Sequence, residues 1–94
     1  MNNYQSNYTS AELEKVAISR FRSLMHFLPR DCKIGREKWG SSTILVLDFA
    51  NCPHLLEATK KQYLLLLIGA NYLGLTNSLL FRVERKVIEW KTLK

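Results

Sequence analysis

Thr43-Ile44-Leu45-Val46-Leu47-Asp48-Phe49 is apolar and β-branched almost from end to end, with little polar alternation. A strand that is greasy on both sides needs cover on both. The stretch therefore reads as a central strand of a sheet, and the rest of the chain can be read by asking what packs around it.

Immediately before it, Trp39-Gly40-Ser41-Ser42 supplies a turn in which Gly40 is free to take positive φ. The preceding residues alternate Cys32, Ile34 and Arg36 against Lys33, Gly35 and Glu37, so Cys32 to Trp39 is expected to be the other arm of a hairpin. Further upstream, Leu13, Val16, Ala17, Phe21, Leu24 and Leu28 recur at helical spacing. Glu12, Glu14, Lys15, Ser19, Arg22 and Ser23 fall mostly on the other side of that helix. Thr9 and Glu12 form a capping box at its start. Pro29 blocks its continuation. The spacing thus predicts a helix over Thr9–Leu28, preceded by a polar, unpatterned lead-in over residues 1–8.

Downstream, Asn51-Cys52-Pro53 opens a second helix, with proline in the first turn and Asn51 or Cys52 as cap. It is expected to run to Gly74, a natural residue for the position after a helix end. Leu79-Leu80-Phe81-Arg82-Val83 starts a last strand. Val87-Ile88-Glu89-Trp90 either continues it past a bulge or forms a strand of its own. The order α-β-β-α-β, with the last strand single or doubled, predicts an α+β two-layer sandwich. Its antiparallel sheet carries two helices on one face. The plan resembles the split βαβ arrangement of ferredoxin-like folds with a weak or missing first strand. The likeness is one of architecture alone, and such folds host unrelated functions.

Ninety-four residues suffice for one domain, read as residues 9–94. An apolar fraction of 47% and a charged fraction of 23% are those of an ordinary folded protein. Fourteen Lys and Arg against eight Asp and Glu give a formal charge of +6, which attracts polyanions and acidic proteins alike. The polar opening residues hold no apolar signal core, and the expected compartment is the cytoplasm, where Cys32 and Cys52 stay reduced. The greasiest run, Tyr63 to Leu75, falls short of the roughly 20 apolar residues needed to cross a bilayer, and no membrane role is expected.

Within that run, Leu64-Leu65-Leu66-Leu67-Ile68 covers the whole circumference of a helix at about 100° per residue. A helix lying on a sheet needs one apolar stripe only. Either the first helix covers the far side, or a second copy of the chain does, through Leu64, Leu65, Ile68 and Tyr72. The corresponding expectation is a homodimer.

Basic residues gather at the hairpin and at the last strand. A polyanion contact would run through Lys33, Arg36, Lys38 and Trp39 together with Arg82, Arg85, Lys86 and Trp90, the indoles stacking on unpaired bases. The competing account has both tryptophans packed in the sheet with the charges in water.

Cys32, Cys52, His26 and His54 are too irregularly spaced for a zinc site, and both thiols are expected to be free. Cys52 at a helix start, with His54 and Asp48 near in sequence, is the only hint of a nucleophile, its thiol lowered by the helix dipole. No phosphate loop or nucleotide fingerprint is present. The expected function is a non-enzymatic, self-associating adaptor that binds protein, without cofactor, metal or small-molecule substrate. The alternative is a small basic module for RNA or single-stranded DNA.

Overall fold

The computed structural model describes residues 10–93; the expected lead-in and the capping residue Thr9 lie outside them. Helix α1 (Ser10–Leu24) leads into strands β1 (Lys33–Trp39) and β2 (Ser42–Asp48). A short 3-10 turn (Pro53–Leu55), α2 (Leu56–Lys60) and α3 (Tyr63–Tyr72) follow, then β3 (Ser78–Val83) and β4 (Lys86–Thr92). The fold is of the α+β class, with helices and one open four-stranded sheet in the order β1-β2-β3-β4.

The sheet is mixed, which corrects the wholly antiparallel expectation. Two hairpins, β1–β2 and β3–β4, are each antiparallel, but β2 and β3 pair in parallel. A helical crossover between two strands carries the chain back to the end where the first strand began, so both run the same way. Because β2 and β3 are direct hydrogen-bonded neighbours, no strand is inserted between them as the split ferredoxin-like plan requires.

Local chemistry explains the element ends. In α1 the regular helix stops at Leu24, and hydrogen-bonded turns carry the chain to Pro29. The expected second helix is broken in two. Thr59 donates its hydroxyl to the Leu55 carbonyl, and the Gln62 amide reaches Thr59 in a tight three-residue step that ends α2. Pro53 does sit in the first turn, but Cys52 caps nothing with its side chain. Gly74 takes φ 73° just beyond α3, the left-handed conformation that closes a helix. The last strand is doubled: Val83 pairs Lys86 around the turn at Glu84 and Arg85, with a bulge at Phe81 and Arg82.

Strand alternation separates two faces. Leu45, Leu47, Leu79 and Phe81 point toward the helices and pack with Phe21, Met25, Leu56, Leu66, Leu67 and Ala70 in the main core. On the other face, Ile44, Val46 and Leu80 are also buried, in a separate small cluster. Among the described residues, no helix lies there. Trp39 from outer strand β1 and Trp90 from outer strand β4 meet edge to face, with ring centroids 5.1 Å apart. To touch, rings from the two outer strands must bridge the central strands that hold these three aliphatics.

Candidate functional site

Helix α3 is divided lengthwise. Leu66, Leu67, Gly69 and Ala70 are buried, whereas Leu64, Leu65, Ile68 and Tyr72 are exposed. At 100° per residue the exposed four fall on one continuous arc, joined by Asn71. The three aliphatics are half exposed and Tyr72 is 80% exposed. No charged residue occurs between Tyr63 and Tyr72. All four residues named from sequence for self-association thus share one surface.

The first helix does not cover this arc. It meets α3 at Gly69, where an added Cβ would lie 2.1 Å from Met25 Cε and 3.3 Å from Leu24 Cδ2. A Cβ there would have to push the end of the Met25 side chain aside. Leu65 and Tyr72 sit one turn to either side of Gly69, so Leu24, itself 45% exposed, extends the apolar surface across to α1. Leu24 belongs to the apolar residues that recur at helical spacing along α1. The signal that it borders a surface was its place eleven residues after Leu13, on the same side of α1, where Leu13 is exposed as well.

The eight residues named for polyanion contact do not form one stripe. β1 and β4 are opposite edges of the sheet; across the face between them Trp39 meets Trp90 and Arg82 reaches Glu37, while Arg36 leaves that face. Arg36 points to the helix face, where its Nε and Nη2 donate to the two oxygens of Glu14 at 2.9 and 2.6 Å and its Nη1 donates to the Leu75 carbonyl. That bidentate bond holds the Glu14 carboxyl below its ordinary range and raises the guanidinium. Arg82 lies on the opposite face, 3.0 Å from Glu37 and 3.4 Å from Asp48. Burial disfavours the Asp48 charge, but the amides of Glu84 and Ala50 and the Arg82 guanidinium outweigh it, and the carboxyl is lowered. Glu37 is lowered by the Trp39 indole N–H, with Arg82 adding to it. Each tryptophan N–H is satisfied two residues along its own strand, Trp39 by Glu37 and Trp90 by Thr92. Lys33, Lys38, Arg85 and Lys86 remain exposed without an ion pair among the described residues.

The nucleophile reading also changes. Cys52 is buried rather than presented, and burial pushes its thiol up, with Asp31 and Asp48 adding to the effect; the lowering expected from a helix start does not occur. Asp48 is held by amides and Arg82, and His54 is exposed. Burial raises Cys32 to about 12. The two thiols are unbridged. Among the described residues, no group of three His, Cys, Asp or Glu side chains is placed to hold a metal, and no helix is long and apolar enough to cross a membrane.

No protein-family model, curated protein or solved structure matches the chain. The geometry above is therefore the whole basis for a functional reading.

Proposed function

We propose that this chain is a non-enzymatic protein-binding module that self-associates through the outward arc of α3. The observation that carries the reading is the arc itself: Leu64, Leu65, Ile68 and Tyr72 side by side on a helix whose other half is core. A contiguous apolar surface on a small domain marks an interface. Its area suits a dimer. With Leu24 included, these side chains supply roughly half of the ~800 Å² per partner that a stable interface buries, and flanking residues complete it. The absence of charge on the arc favours a second copy as occupant. Two molecules of net charge +6 repel at most approaches, but an uncharged patch meeting itself across a two-fold axis brings no like charges into contact. The nucleic-acid alternative draws less support, because Arg36 and Arg82 are already engaged by carboxylates.

Sedimentation across the micromolar range, at low and high salt, tests the reading. The wild type should dimerise and remain dimeric at high salt, since apolar contacts are not screened. Leu65→Asp and Ile68→Asp should be monomeric with an unchanged circular dichroism spectrum. A wild type that stays monomeric throughout overturns the proposal.

A further inference from the structure

A groove runs along the opposite flank of α1 from Leu24. It has a volume of about 370 Å³ and lies between α1 and outer strand β1, with Lys15, Ile18 and Arg22 on one wall and Ile34 and Gly35 on the other. Three of its properties point to the same kind of occupant.

The first is an unused strand edge. Every second residue of an outer strand turns its backbone N–H and C=O away from the sheet. Among the described residues, no backbone group of Lys33–Trp39 bonds to the backbone of any segment other than β2. Gly35 adds no side chain to this edge, and a Cβ built there meets nothing within 4 Å. The second is an apolar floor, formed by the partly buried Ile18 and Ile34. The third is charge. Lys15 and Lys33 are exposed and carry no ion pair among the described residues. Arg22 donates to the carbonyls of Pro29 and Cys32, which leaves its charge unneutralised. The acid on the lining, Glu14, is clamped by Arg36.

We propose that this groove takes an extended, acidic segment of another protein, added to β1 as an outer strand. Such a segment matches its backbone to the free edge and turns one alternate set of side chains into the groove, beside Ile18, Ile34, Lys15 and Arg22, and the other set to the far face of the sheet, beside Lys33. The chain's own segments fit poorly. Residues 1–9 contain no acid, and Lys91 to Lys94 are basic. A second copy adding its own β1 at this edge would bring the unpaired Lys33 and Lys38 of both copies to one seam. Lysines on an outer strand deter such self-pairing, and the same charges attract an acidic strand. The inference does not depend on self-association, because it uses a different flank of α1.

The test is calorimetric titration of the full chain with a blocked peptide long enough to span β1 that alternates glutamate with valine. A lysine–valine peptide, versions methylated on either alternate set of backbone amides, and an oligothymidylate serve as comparisons. The glutamate peptide should bind, weaken as salt rises, and lose about tenfold or more in affinity against a Lys15→Glu, Lys33→Glu variant. One methylated version should fail to bind, and amide resonances of Lys33–Trp39 should shift. Failure of the glutamate peptide to bind overturns the proposal. So does equal binding of the lysine peptide, indifference to charge reversal, tolerance of both methylation patterns, or shifts confined to α3. Tighter binding of the oligothymidylate at this edge would assign the groove to nucleic acid and likewise overturn it.

Discussion

Leu66 and Leu67 are fully buried, while their chain neighbours Leu64 and Leu65 are half exposed. The residue type, the helix and the hydropathy are the same. Only the angle around the axis differs, and that angle is set by which side of α3 meets the sheet and which side α1 can reach. One arc stabilises the monomer and the other offers a surface, so a run of leucines is not one feature but two.

Aspartate on either arc should separate them most sharply. Leu66→Asp or Leu67→Asp places an unpaired carboxylate in the core at a cost of several kcal/mol, against a total stability of only about 5–15 kcal/mol, and should abolish cooperative folding. Leu64→Asp should leave the monomer's cooperative thermal transition in place. Equal melting curves for Leu64→Asp and Leu67→Asp would erase the distinction.

The border between the arcs is Gly69. Valine there must displace Met25 and Leu24, and should cost about 1–3 kcal/mol as overpacking. Alanine meets mainly the mobile end of Met25 and recovers about 1 kcal/mol of helix propensity, so Gly69→Ala should lie close to neutral. Denaturant unfolding of the two variants gives the comparison.

A milder contrast concerns charge. The lowered carboxyls of Asp48, Glu37 and Glu14 favour the folded state above their unfolded values near pH 4, and that contribution is lost as pH falls through their folded values. Denaturant midpoints measured from neutral pH down to about pH 3 should therefore decline. Asp48→Asn should be less stable at neutral pH by about 1–2 kcal/mol and should lose less on acidification. A slope unaffected by Asp48→Asn would remove this cluster from the account. The smallest effect is on the thiols. Cys32 and Cys52 lie with the core and should resist alkylation in the folded protein while reacting readily in denaturant. Fast reaction of native Cys32 would show that the covered side opens.

How far these features could be read from sequence depended on the range of the interaction. The period of Leu13 to Leu28, the glycine at position 40 and the doubly greasy Thr43–Phe49 each declare themselves within a few residues, and α1, the hairpin and the central strand are found near those places. Leu64, Leu65, Ile68 and Tyr72, grouped from the sequence, lie together on one exposed arc of α3, because helical phase is a local property. What escaped was long-range. Nothing near Arg36 announces Glu14 from another element, and nothing near Arg82 announces Glu37. Those pairings took two cations out of the expected basic stripe. The parallel pairing of β2 with β3 was missed because strand direction follows from the crossover between them, not from the strands' own residues. The groove beside β1 was missed for the same reason: Ile18 and Ile34 carry ordinary core signals, and only the sheet order leaves that edge open.

The meeting of Trp39 and Trp90 also gives the molecule an optical label. They are its two tryptophans, and each comes from an opposite edge of the sheet. Indoles held this close and nearly perpendicular couple their transitions. The near-ultraviolet circular dichroism of the protein should therefore carry a signature that belongs to the assembled sheet rather than to either ring alone. Replacing either tryptophan with phenylalanine should remove the whole coupled signal, not half of it. In the unsubstituted protein, its loss would time the parting of the sheet's edges independently of the helices.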